Sequence, residues 1–310
     1  MRAHQGAGFR KAMKTCRVAD MASLGRHCIL ATIFVTGAVV LVIEVAATRI
    51  LAPYFGTTVY SVSSVLGVIL AALGCGYYFG GRFADRYPEP RWFYGIIATG
   101  GFALLLLRAA VRLALPIFGY FFSFIEGPLL WSMCLFFIPC FLLGTLSPYA
   151  VALRQRQYPQ KGPGSVSGEV FFWSTAGSIA GSLLAGFVLI PHIPLSSIIT
   201  AMAILLLGIG FVGMGDPRRL VSKRGLLLLL LIAATALIST KEIRLTRPIY
   251  AKDGAYQRLA VYDDLRDGRP TRFLRQDGTA SGAMFIDSDE HVYAYTRYYA
   301  VYRLFAPAIQ

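Results

Sequence analysis

The chain has 310 residues, 56% of them apolar or aromatic and only 15% charged, with a mean hydropathy of +0.58. Soluble domains run nearer one quarter charged, so composition excludes an ordinary soluble protein. The net charge of +14 is unevenly placed: residues 1–240 hold 19 basic and 7 acidic side chains, whereas residues 241–310 hold 11 and 9. A basic surplus confined to the apolar part marks membrane orientation rather than nucleic-acid binding.

A basic stretch, residues 1–27, leads into an apolar run from Cys28 to Ala47. The run is too long for a signal-peptide core and has no small-residue cleavage site, so it reads as an uncleaved first span. A crossing needs about 20 mostly apolar residues. The pattern predicts seven, at 28–48, 59–81, 92–114, 128–150, 168–190, 195–214 and 224–240, which make one bundle over 28–240. Arg108 and Arg112 interrupt the third. With seven spans, 16 of the 19 basic residues in 1–240 fall on the side of the N-terminus. That imbalance predicts a multi-pass inner-membrane protein with a cytoplasmic N-terminus and a tail on the opposite side.

Small residues recur along two spans. Gly67, Gly74 and Gly81 repeat at intervals of seven, and Gly177-Ser-Ile-Ala-Gly181 continues to Gly186. Such stripes let helix backbones approach closely, and tight packing with no transport role is the simpler reading of them. The five cysteines, Cys16, Cys28, Cys75, Cys134 and Cys140, lack metal-ligand spacing and read as small buried residues; no metal is expected. No repeat of the kind seen in soluble arrays is visible.

Three charged side chains inside the spans are candidates for chemistry. Glu44 lies within the first, with Arg49 five residues later. A carboxylate at bilayer depth must face a partner or be protonated, so Glu44 is either a proton or cation site or half of a buried ion pair. Glu169 opens the fifth span, where the positive end of the helix dipole favours a capping role.

The stretch from Gly81 through Asp85 and Arg86 to Arg91 resembles the loop between the second and third helices of the major facilitator superfamily. The resemblance implies a cytoplasmic loop in which Gly81 permits close helix contact and Asp85 caps a helix or pairs with basic neighbours. Pro88-Glu-Pro90 stands where that family prefers glycine and basic residues. A complete carrier of that family has about twice as many spans, so the bundle resembles a facilitator-like half.

From about residue 241 the pattern changes. Arg258–Tyr262 and Thr271–Arg275 read as strands, Asp267-Gly268 and Asp277-Gly278 as turns, and Ser288 as the start of a short helix carrying Tyr295, Tyr298, Tyr299 and Tyr302. The fold class is therefore a polytopic α-helical membrane bundle followed by a small β-rich segment and a helix.

Several motifs in the tail and the spans point to one family. Tyr256-Gln257, Arg272-Phe-Leu, Asp277-Gly278 and Asp289-Glu290 with Tyr293 resemble the small N-terminal β-domain of spermidine synthases. Glu44-Val-Ala-Ala-Thr-Arg49 with the following Ile-Leu-Ala-Pro-Tyr-Phe-Gly56, the Gly-Gly-Arg-Phe-Ala-Asp-Arg loop and Ser174–Ser182 with Gly186–Pro191 resemble the membrane-fused branch of that family. The resemblance implies aminopropyl transfer from decarboxylated S-adenosylmethionine, the co-substrate of a complete member, to a diamine. It gives Gln257 a contact with the sulfonium nucleoside and Tyr293 a contact with the amine. Ser281 stands where the family has a second glutamine, and Ala294 where a histidine follows the tyrosine.

The family's glycine-rich nucleotide loop and catalytic aspartate belong to a Rossmann-like domain with no match here. The expectation is a chain inactive alone: a truncated synthase or a membrane subunit, with no catalytic residue and no bound cofactor of its own. Its partners would be the lipid bilayer and a separate nucleotide-binding domain or further copies, but no nucleic acid. The alternative is a facilitator-like transporter or half-transporter for a polyamine or another small solute.

Overall fold

A computed structural model describes residues 3–123, 125–214, 248–253, 258–276, 279–288, 290, 292, 293, 295, 296 and 298. Nine α-helices, among the described residues, are α1 (Ala3–Phe55), α2 (Val59–Arg86), α3 (Pro90–Leu113), α4 (Leu115–Phe118), α5 (Glu126–Gly144), α6 (Leu146–Gln157), α7 (Pro163–Leu184), α8 (Ile190–His192) and α9 (Leu195–Gly213). They make six stretches long and apolar enough to cross a bilayer: Ile29–Phe55, Val59–Arg86, Pro90–Leu113, Glu126–Gln157, Pro163–His192 and Leu195–Gly213. The expected seventh span, 224–240, and the boundary at 240 lie outside the described residues. The helix of α3 continues through Arg108 and Arg112.

Proline, glycine and threonine set the helix ends. Gly56, at φ +72°, ends α1, and Thr58 caps α2 by accepting the Ser61 N–H at 3.2 Å. Proline opens α3 and α7 at the first turn, where its missing N–H costs nothing. Two prolines also deform spans from within. Pro148 cannot donate to the Gly144 carbonyl one turn back, and α5 gives way to α6 at Thr145, whose hydroxyl bonds the Leu142 carbonyl at 2.7 Å. Pro191 cannot donate to the Phe187 carbonyl, and residues Ala185–Leu189 open into a π-helical turn.

The spans pack in pairs. The most extensive contacts join α1 with α7, α2 with α5 and α3 with α9, or spans one with five, two with four and three with six. Exchanging spans one to three with four to six returns the same set of pairs. Lesser contacts obey the exchange too: one meets two as four meets five, and one meets six as four meets three.

Glycine seats repeat the pattern. A Cβ on Gly177 would strike the Phe34 carbonyl and one on Gly181 would strike Ala38; on the other side, Gly76 faces the Phe141 carbonyl and Gly80 faces Thr145. In the third pair Gly101 faces Ala203 and Leu207, while Gly210 faces Tyr94 and Ala98. The heptad stripe does not serve this packing: a Cβ on Gly67 or Gly74 would meet open space, and Gly81 only grazes Pro148. In the first two pairs close approach depends on glycines four apart. Of the cysteines with described side chains, Cys140 is buried, but Cys75 and Cys134 lie exposed on the helix surface, contrary to expectation.

The C-terminal segment forms a four-stranded antiparallel meander, β1 (Tyr250–Asp253), β2 (Arg258–Arg266), β3 (Arg269–Gln276) and β4 (Thr279–Phe285). Both expected strands are there, extended, with two more. Asp267 and Gly268, at φ +54° and +79°, close the β2–β3 hairpin as a two-residue turn with both centres in the left-handed region. After β4, where the short helix is expected, the described residues Tyr295, Thr296 and Tyr298 adopt 3-10 helical conformation, and the Thr296 N–H and hydroxyl both reach the Tyr293 carbonyl; the rest of that stretch lies outside the described residues.

Candidate functional site

Glu44 sits near the middle of the first span, half-buried, with no hydrogen bond or ion pair among the described residues. The expected pairing with Arg49 on the same helix is not formed at Glu44. The buried thiol of Cys140 on α5, a helix packed against α1, lies within electrostatic reach of Glu44. On α3, Arg108 and Arg112 lie one turn apart and close enough to repel, and no hydrogen-bond partner is present for Arg108 Nε among the described residues.

Glu169 is not a cap. Because α7 begins at Pro163, the residue falls in the second turn, where its carboxylate takes an ion pair from Arg154 Nη2 at 2.7 Å and a weaker one from Lys161 at 3.6 Å. Arg154 is only 4% exposed in its side chain, and its guanidinium also lies over the Tyr158 ring at 4.7 Å. The cluster ties α6 to α7 across their short connection. Arg154 lies beyond the predicted end of the fourth span at 150, but α6 runs on to Gln157 and carries it indoors.

The loop motif is organised from outside itself. Buried Tyr149 on α6 donates to the Tyr87 carbonyl and also lies 3.1 Å from the Glu89 carbonyl. Its ring packs with Phe83 and Phe93. Arg91 pairs with Glu89 at 2.5 Å and lies over Trp92; Arg86 lies over Tyr87. Asp85 is exposed and makes neither the cap nor the ion pair expected of it, among the described residues. The close helix contact expected at Gly81 is made by its neighbour Gly80.

In the tail, Gln257 lies outside the described residues. The Tyr293 ring stacks on Tyr295 at 5.4 Å and carries the Arg266 guanidinium at 4.7 Å. Tyr295 anchors this stack to β4 through the Ser281 carbonyl at 2.8 Å. Arg269 reaches Glu290 at 2.6 Å, Ser288 at 2.7 Å and Asp287 at 3.1 Å, which fastens the segment after β4 to the start of β3. Across the β2–β3 pair, Arg272 grips both oxygens of Asp263 at 2.8 and 2.9 Å and holds that carboxyl below the usual aspartate range. The structure thus gathers Tyr293 with Arg266 and Tyr295, and Glu169 with Arg154, while Glu44 stands apart from both groups.

Comparison of the chain with protein-family profiles, with curated proteins and with solved structures gives no match in any of the three.

Proposed function

We propose that this chain is a multi-pass protein of the inner membrane with a cytoplasmic N-terminus, and that it carries the membrane region and small β-domain of a membrane-fused spermidine synthase-like protein. One observation supports the reading: a six-span apolar bundle is followed by a four-stranded antiparallel sheet, the order the motifs imply. Tyr293 lies beside that sheet with its ring held between Tyr295 and Arg266. In this reading the sheet presents Tyr293 and Gln257 to the amine and to decarboxylated S-adenosylmethionine, and a nucleotide-binding domain supplies the carboxylate that activates the amine. The test is aminopropyl transfer to putrescine by the purified chain mixed with a separately expressed spermidine synthase nucleotide domain. Stimulation that disappears in Tyr293→Ala supports the reading. No complex and no transfer sink it.

The second reading is a facilitator-like carrier or half-carrier for a small solute. The self-consistent exchange of span pairs favours it, because many carriers are built from such repeats. Solute uptake into proteoliposomes, lost in Glu44→Gln, is the corresponding measurement.

A further inference from the structure

We infer that the first three and last three described spans are two copies of one three-helix unit, and that the seam between them holds a monovalent cation at Glu44. Phe34, Gly37 and Ala38 stand to α7 as Phe141, Gly144 and Thr145 stand to α2. From 39 to 48 each side chain is buried or half-buried just as its counterpart from 146 to 155 is. An odd number of spans per copy makes the second run through the bilayer in the opposite sense to the first.

Where two copies pack alike, the residues on which they differ are not explained by packing. Counterparts of the Arg154–Glu169 pair are Ala47 and Val68, and that pair neutralises itself. The counterpart of Glu44 is Val151, half-buried like Glu44. An apolar side chain therefore satisfies the packing at this position, yet one copy has a carboxylate with no bonding partner among the described residues. An unpaired carboxylate in hydrocarbon is costly unless a cation neutralises it.

The charged and titratable surroundings of Glu44 narrow its ligand. Cys140 of α5 is buried within electrostatic reach of it. On α6 and α7, Arg154 and Glu169 are committed to each other, and the Tyr149 hydroxyl bonds backbone carbonyls. Arg82, Asp85 and Arg86 lie exposed in the last two turns of α2, and α9 carries no charge. Arg49 stands five residues further along α1 itself. One carboxylate with a neutral thiol offers a single negative charge, which fits a proton, a sodium ion or a primary ammonium group rather than a divalent metal.

The inference deepens the carrier reading and is independent of the synthase one. Its test is labelling of the purified full chain with a hydrophobic carbodiimide, which adds to protonated carboxyls in apolar surroundings, read by mass spectrometry of the Glu44 peptide. Labelling is expected at Glu44 and to fall about tenfold per pH unit once the carboxyl ionises. At fixed pH, several-fold protection by sodium or by the monoamine butylammonium identifies that cation, and response to pH alone identifies the proton. Glu44→Val, which copies the residue at Val151, is expected to fold and to lose the label. Absence of labelling from about pH 5 to 9 overturns the inference, as does labelling that neither pH nor either cation changes. Binding without uptake would remove the carrier reading and leave the site standing.

Discussion

Removing either partner of the Arg154–Glu169 pair has unequal consequences, because the arginine is 4% exposed and the glutamate 29%. Arg154→Gln leaves Glu169 near water and within reach of Lys161, and is expected to cost roughly 1.5–3 kcal/mol. Glu169→Gln leaves a buried guanidinium without its carboxylate and should cost more, about 3–5 kcal/mol. The double variant should recover much of the loss. Thermal unfolding of the three proteins in detergent measures this, and simple additivity would refute it. The Asp263–Arg272 clamp on the sheet surface behaves differently. Its carboxyl is depressed when folded, so its contribution is present above the ordinary aspartate range and is lost as pH falls through the lower folded value. Asp263→Asn should lower neutral stability only slightly, since exposed pairs contribute little, and flatten the acid side of the stability profile by that same small amount. Single residues were only partly legible beforehand. Glu44 stands out as a charge in an apolar run, and the ion pair with Arg49 that the run allows is not formed at Glu44 among the described residues. Glu169 was misjudged because the helix start was set at 168, although Pro163 after Gly162 is a first-turn signal.

Helices in a bilayer cannot advertise their buried face by hydrophobicity, since lipid is as apolar as a neighbouring helix. Small residues carry that information instead, and the sequence offered two competing stripes on α2. The heptad set Gly67, Gly74 and Gly81 was the more visible; Gly76 and Gly80, one turn apart, are the pair that seats the helix on the α5–α6 break. Leucine at Gly177 or Gly181 would have to displace the α1 backbone, and a loss of at least about 2 kcal/mol is expected. Leucine at Gly67 or Gly74 enters open space and should change stability by no more than about 0.5 kcal/mol. Melting temperatures of the four variants decide between the stripes; equal damage from Gly67→Leu and Gly177→Leu would reverse the assignment. The sheet was legible at its centre, where Asp267-Gly268 joins two alternating runs. Its outer strands were not. Thr279-Ala-Ser-Gly-Ala-Met-Phe has small residues in place of an alternating apolar face, so β4 is recognisable only by its register against β3.

At the scale of the whole molecule, positive charge and internal exchange lead to one topology by separate routes. Charge counting puts the ends that follow the second and fourth spans, with Arg82, Arg86 and Arg91 and then Arg156 and Lys161, on the cytoplasmic side. Helix pairing makes the second triplet an inverted copy of the first, so the link between spans one and two and its counterpart between spans four and five open to opposite faces. The repeat was not visible in the sequence because its geometry outlasts its residue types: Gly37 and Gly144 agree, whereas Ala47 and Val68 answer to Arg154 and Glu169. The inversion fixes which links share a face, and the charge rule fixes which face that is. With the five native cysteines replaced by serine, single cysteines at Thr57, Ser123 and Ile193 should react with an impermeant maleimide from the outer face. Cysteines at Glu89 and Gln160 should react only after the membrane is opened. Labelling of Thr57→Cys and Gln160→Cys from the same face would break the inversion. Labelling of all five with sides reversed would keep the inversion and discard the charge rule for this chain, so the two arguments can fail separately.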